Sequence, residues 1–212
     1  MIVTWRAGNH GMPERILTEE RHGYAMTGLD VSRRALEWLD QPGRTLIEGD
    51  LTQAIAPCAE QYDAVLAMDV IEHLDDDRAA VACLGELTRP GGVAVVSVPA
   101  RPELFSEFDA VQGHRRRYLP ETLRQAFEGS GLVVEQVFWW GSWVAPLLRR
   151  QQRAPGRGKE EPPEEVYRRY LALPPWPGPL ILRLAFAWEE KRALHWTTRS
   201  GTSLFALARR PA

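Results

Sequence analysis

The sequence predicts an α/β fold in which short apolar strands alternate with amphipathic helices around a mostly parallel sheet. Three observations carry this expectation. Strand and helix patterns alternate from residue 1 to about residue 138, the signature of βαβ units with right-handed crossovers. The segments Tyr62 to Met68 and Val93 to Val98 are nearly continuous apolar runs, as expected of strands buried inside a parallel sheet. Polar residues then stop successive strands at their carboxyl ends, where open α/β sheets bind ligands.

Taken in order, residues 1–6 read as a first strand, followed by a Gly8-to-Gly11 loop and a helix from about Pro13, where proline suits the first turn. Ala25 to Leu29 is a second strand ending at Asp30, and Ser32 is placed to cap a helix carrying Ala35, Leu36 and Leu39. Thr45 to Ile47 is the third strand and Tyr62 to Met68 the fourth. Asp75 is placed to cap a helix that runs to about Thr88 and is expected to stop at the breaker triplet Pro90-Gly91-Gly92. Val93 to Val98, Leu132 to Trp139 and Ser203 to Ala208 complete the strands, with a helix over Pro120 to Gly129.

The stretch before the last strand differs in kind. Ala154 to Pro163 collects three prolines, two glycines and a charge run, which predicts a loop. Two short helices follow, over Glu164 to Leu173 and Leu180 to Leu194, the second expected to pack Leu180, Ile181, Leu184 and Trp188 against the domain. Six of the eight tryptophans lie from position 139 onward, which marks an insertion with its own aromatic packing. The expected organisation is therefore a cofactor-binding core over 1–139, a helical, aromatic-rich insertion or lid over 140–200, and a strand returning to the core over 201–212.

Composition narrows the function classes. At 212 residues with 44% hydrophobic and 25% charged residues, the chain has an ordinary globular balance. A formal net charge of -2 provides no basic field for nucleic acid. Only two cysteines occur, Cys58 and Cys83, in no metal-ligand spacing, and no HExxH, Cys/His cluster or EF-hand loop is present. No metal site is expected. No apolar run is long enough for a membrane span and no leader pattern opens the chain, so a cytoplasmic location is expected.

Four polar features fall at consecutive strand ends. The loop Ala7-Gly8-Asn9-His10-Gly11 offers close backbone approach and a following helix N-terminus. Asp30 lies nineteen residues beyond Gly11, where a carboxylate can accept both hydroxyls of an adenosine ribose. Gly49-Asp50-Leu51 pairs an acid with an apolar residue. Asp69-Val70-Ile71-Glu72-His73-Leu74 follows the fourth strand.

The segments Thr27 to Ser32, Glu48 to Leu51, Tyr62 to Leu74 and Arg89 to Gly92 resemble successive motifs of class I S-adenosylmethionine-dependent methyltransferases, in the ubiquinone/menaquinone methyltransferase-like group. Gly113 to Tyr118 and Gly201 to Ala206 resemble a subset of that group. The resemblance implies a Rossmann-like, seven-stranded sheet with the last strand antiparallel, and S-adenosylmethionine as cofactor. It implies that Gly8, Asn9 and Gly11 form the cofactor loop, and that Asp30 and Val31 meet the ribose. Asp50 and Leu51 would meet the adenine, and Asp69 and Val70 would border the methionine moiety and the acceptor. The family loop opens with an acid and alternating glycines, where this chain has Trp5, Ala7 and Asn9. The alternative reading is accordingly a non-catalytic partner subunit that no longer binds the cofactor.

Methyl transfer to oxygen or nitrogen calls on a base, and the candidates are His114 and His73, the histidines nearest the ends of the fifth and fourth strands. Arg115, Arg116 and Arg117 are expected to form a basic loop able to bind an anionic acceptor. The aromatic-then-arginine run from Phe138 to Arg153 suits a lipid-like acceptor or peripheral contact with a membrane interface.

Overall fold

In a computed structural model, the described residues are 2–4, 25–40, 42–52, 61–145, 148–149, 162–171, 175–193 and 200–212. The strands are β1 (Ile2–Thr4), β2 (Met26–Asp30), β3 (Arg44–Glu48), β4 (Tyr62–Met68), β5 (Thr88–Pro99), β6 (Val133–Trp140) and β7 (Ser203–Arg209). Between them lie helices α1 (Arg33–Leu39), α2 (Asp77–Leu87), α3 (Glu107–Gln112), α4 (Pro120–Ala126), α5 (Pro163–Leu171) and α6 (Gly178–Ala193). Hydrogen bonds join the strands in the order β3-β2-β1-β4-β5-β7-β6. The pairs from β3 to β5 are parallel, and β7 runs antiparallel to both of its neighbours.

Local chemistry places the elements. Ser32 caps α1 by accepting a hydrogen bond from Ala35 N–H. Asp76, one residue beyond the expected start, caps α2 in the same way toward Ala79 N–H. At the other end of α2 a guanidinium nitrogen of Arg210 donates to the carbonyls of Gly85, Glu86 and Thr88, a cation placed where unpaired carbonyls gather.

The helix stops ahead of Pro90-Gly91-Gly92 as expected, α2 ending at Leu87, but the triplet itself is strand rather than loop. β5 begins at Thr88 and runs through the triplet, because Gly91 N–H donates to Arg210 O and Arg210 N–H donates to Gly92 O. Pairing with the chain end supplies the bonds that a loop would have left to water.

The core follows strand alternation. Val65 and Ala67 of β4, Ala94, Val96 and Val98 of β5, and Leu204, Ala206 and Ala208 of β7 have no exposed surface. Ala80, Val81 and Leu84 of α2 cover them. Gly85 sits where α2 meets the turn before β6, and a Cβ there would lie 2.0 Å from Ser130 O. No helix among the described residues is long and apolar enough to cross a membrane.

The insertion leaves and returns through a narrow gate. Thr202 N–H donates to Trp140 O at 2.8 Å, and a Cβ on Gly201 would lie 2.1 Å from that same carbonyl. Within the insertion, α5 stacks Tyr170 on Phe108 of α3 with centroids 4.8 Å apart, and Arg169 pairs with Glu107 at 2.5 Å.

Gly85→Ala is expected to lower stability by about 2 kcal/mol or more, because backbone must move to admit the methyl group. Denaturant unfolding of the variant beside the parent measures it.

Candidate functional site

The parallel topology gathers four strand ends on one edge. Asp30, 3% exposed, ends β2, and its Oδ1 accepts from Ser32 N–H at 2.7 Å. This turn fixes the carboxylate at the strand end, while Asp30 O accepts from Gly49 N–H and ties β2 to the segment after β3. There, Asp50 Oδ1 accepts from the N–H and the hydroxyl of Thr52, each at 2.8 Å, and Leu51 is buried beside it. Val31 is exposed and Val70 buried. Gly8, Asn9 and Gly11 lie outside the described residues, as do Trp5, Ala7, His10, His22 and His195.

Asp69 follows β4 with φ at +52°. A residue with a side chain held there stores strain of a kind concentrated at functional sites. Ser97 of β5 holds it: Asp69 N–H donates to Ser97 O at 3.0 Å, and Ser97 Oγ–H donates to Asp69 Oδ1 at 3.1 Å. Burial pushes the Asp69 carboxyl above its ordinary value, against the pull of the Ser97 hydrogen bond and the nearby His114.

The next residues form a buried turn. Ile71 and Glu72 have no exposed surface and His73 is 9% exposed. His73 Nδ1 lies 3.3 Å from Gly113 O. His114 comes to the same place from the far side of β5, because the Gly113-to-Tyr118 segment runs beside that strand's end: Tyr118 N–H donates to Pro99 O, and Arg101 N–H to Tyr118 O. The two imidazoles meet edge to face, 4.7 Å between centroids. Each presents Nε2 at 3.9 Å from Glu72 Oε1.

Asp109 fixes the orientation of His114. Its Oδ1 lies 3.0 Å from His114 Nδ1 and 2.7 Å from Arg117 Nε, and its Oδ2 accepts from Arg117 Nη2, Ser106 N–H and Ser106 Oγ–H. Burial would raise the Asp109 pKa, but the hydrogen bonds from His114, Arg117 and Ser106 and the charge of Arg117 hold it down, to about 2. An ionised Asp109 can only accept, so His114 Nδ1 carries the donated proton. His114 Nε2 is thereby aimed at Glu72, 3.9 Å from its Oε1, and that nitrogen has no hydrogen-bond partner.

The expectation for the arginines is corrected. Arg115 meets Asp75 at 3.3 Å; Arg116 donates to Leu74 O and Asp75 O and meets Asp77; Arg117 is clamped by Asp109 and donates to Ala100 O. The loop is stapled to its surroundings rather than held out for an anion, because Asp75 and Asp77 at the start of α2 and the buried Asp109 take up its charge. Glu72, His73 and His114 each offer one ligand atom, and the three atoms lie within 4.8 Å of one another. Glu72 and His114 stand 42 positions apart in the sequence, which is why local ligand spacing does not reveal the grouping.

Asp109 and Ser97 are residues that sequence reasoning missed, and Arg117 was expected to meet an anion rather than Asp109. The first had one local sign: Ser106 stands three residues before it, the spacing of a capping box.

A methyltransferase-domain family model matches residues 7–137. A ubiquinone biosynthesis O-methyltransferase of Cereibacter sphaeroides is 33% identical over 92 residues, which is 41% of this chain and 37% of that protein. The chain thus spans little more than a third of that curated relative. A crystal structure of an S-adenosylmethionine-dependent methyltransferase from Archaeoglobus fulgidus matches with a TM-score of 0.58 at 15% identity, covering 98% of this chain and 85% of that one. One from Mesorhizobium loti matches with a TM-score of 0.58 at 17% identity, covering 99% and 90%. At such identities these two show the shared fold.

Asp109→Asn is expected to cost about 3 kcal/mol, since it leaves the buried Arg117 without its counter-charge. The folded pKa of about 2 lies below the reference 3.8. The carboxylate's contribution, about 2 kcal/mol, is therefore complete above pH 3.8 and disappears as the pH falls toward 2. Denaturant unfolding at a series of pH values should show parent and variant converging across that window.

Proposed function

The chain belongs to the class I S-adenosylmethionine-dependent methyltransferases, and on that premise we propose that it methylates a small-molecule or lipid-like acceptor, with His114 as the base. The observation that carries the proposal is the Asp109–His114 pair, which turns an unpartnered Nε2 into the buried group of Glu72 and His73 beside the strained Asp69. The 33% identity to an O-methyltransferase supports an acceptor with an ionisable hydroxyl.

In this reading Asp30 and Val31 meet the ribose of S-adenosylmethionine, Asp50 and Leu51 its adenine, and Asp69, Val70 and the loop of Gly8, Asn9 and Gly11 the methionine end. The cofactor supplies, when bound, a methyl carbon activated by its sulfonium charge. The protein's part is to hold the acceptor atom in line at about 3–3.5 Å from that carbon. His114 Nε2 takes the proton that the acceptor loses, and Glu72 stabilises the imidazolium so formed. His73 packs against the His114 ring and restricts its rotation. Segment 140–200 serves as a lid over the acceptor, and the setting is cytoplasmic, in keeping with two cysteines and no metal-type spacing. The departures Trp5, Ala7 and Asn9 favour a second reading, a non-catalytic partner subunit.

One titration separates the two. S-adenosylhomocysteine at about 100 times its dissociation constant should stabilise the protein by roughly 2.7 kcal/mol and raise the unfolding midpoint by a few degrees. NAD should not, and Asp30→Ala should abolish the shift. The absence of any shift would assign the chain to the non-catalytic reading. His114→Gln should keep the shift and lose about 10²–10⁴ in kcat toward a hydroxyl acceptor; an unchanged kcat removes His114 from the chemistry.

A further inference from the structure

Helix α3 carries Asp109 on one side and meets the insertion on the other. It has six residues, fewer than two turns, and a helix that short does not stand without partners. Its first turn is a capping box in which Asp109 Oδ2 accepts from Ser106 N–H at 2.8 Å and from the Ser106 hydroxyl at 2.9 Å. The carboxylate that orients His114 is therefore in place only while this turn stays helical. Glu107 and Phe108 belong to the same turn, and α5 holds both. Tyr170 stacks on Phe108 with centroids 4.8 Å apart, and Tyr167 meets the same ring edge-on at 5.6 Å. Arg169 pairs with Glu107 at 2.5 Å.

The contact is small. Val166, Tyr167 and Tyr170 form the inward side of α5, while Glu164, Glu165 and Arg168 are exposed. Among the described elements α5 packs chiefly on α3. An element held by so few apolar residues belongs to the low-stability end of a fold, where docking and undocking proceed without unfolding the domain. Glu107, Phe108 and Asp109 are consecutive, and a helix turns about 100° per residue. The face that α5 grips and the face that presents Asp109 to His114 are thus two sides of one turn.

We propose that Arg169 and Tyr170 are positioning residues for His114, acting through the first turn of α3. With α5 docked, Glu107 and Phe108 hold that turn, Asp109 keeps its capping bonds, and His114 is fixed with its proton on Nδ1. With α5 undocked the turn frays, Asp109 exchanges Ser106 for water, and the imidazole gains freedom to rotate and to change tautomer. Arg117 stays paired with Asp109 in both states, so undocking loosens the carboxylate without stranding a buried charge. This positioning rests on the reading of His114 as the base and adds its control. An acceptor that presses the insertion onto α3 completes the base by the same movement, as closing elements do when they assemble a site around a bound molecule.

The full chain without ligand carries the test, read by nitrogen-15 imidazole spectra and amide hydrogen exchange. The parent should show His114 as the Nδ1–H tautomer with a slowly exchanging proton. Arg169→Glu sets two carboxylates against each other. It should raise amide exchange along α5 and speed exchange of the His114 Nδ1 proton about tenfold, with β4 and β5 still protected. Adding Glu107→Arg should restore both signals. Val166→Asp, in the middle of the inward side, undocks α5 where the charge reversal does not, and should change His114 in the same way. An α5 that exchanges freely beside an unchanged His114 signal overturns the proposal. So does a change at His114 that comes only with loss of protection in β4 and β5. No cofactor enters this measurement, so its failure is distinct from a failure of S-adenosylhomocysteine to bind.

Discussion

Asp109 has no exposed surface, yet it stays ionised because Ser106, His114 and Arg117 surround it with donors. A buried carboxylate is tolerable only when such partners replace its lost water. Meeting that requirement orders much around it. Ser106 is drawn in at the start of α3, Arg117 is locked beneath the end of β5 through Ala100 O, and the Gly113-to-Tyr118 segment must run beside the strand. One group thereby couples helix, loop and sheet, and it fixes which nitrogen of His114 carries the proton.

The sheet delivers the other half of the arrangement. Adjacent parallel strands end on the same edge, so β4 and β5 bring Asp69 and Ser97 together. Residues with side chains at positive φ follow both strands, Asp69 after β4 and Arg101 after β5. Arg101 donates from Nε to Gly201 O and lies over the Trp139 ring at 5.3 Å. It connects the end of β5 to the point where the insertion rejoins the sheet. Backbone strain at two neighbouring strand ends is held by the hydrogen bonds around it, and it turns both chains sharply over the ligand edge.

The insertion is secured at both roots and along α5, and it touches the polar site through α3. Tyr170 and Arg169 press on the face of α3 carrying Phe108 and Glu107, while Asp109 of the same helix faces His114. A movement of α5 would therefore be felt at His114 through a single short helix.

What the sequence determined by itself is whatever depends on neighbours along the chain. The apolar runs located β4 and β5, Ser32 marked the start of α1, and the polar stops at Asp30, Asp50 and Asp69 fell at the ligand edge. Capping and strand burial are short-range requirements that leave a local pattern. His73 and His114 could be named singly for the same reason. Their meeting over Glu72 could not, since it depends on the Gly113-to-Tyr118 segment pairing with the end of β5. The fate of the arginines was equally invisible: their spacing is the same whether they face solvent or the aspartates of α2 and α3. The breaker triplet became strand only because the chain end came back to pair with it. On α6 the stripe of Leu180, Ile181, Leu184 and Trp188, expected to pack against the domain, instead faces outward, and the domain takes the side of Leu182, Ala185 and Glu189. Tertiary structure decided these matters, because burial and charge compensation are properties of the space between segments.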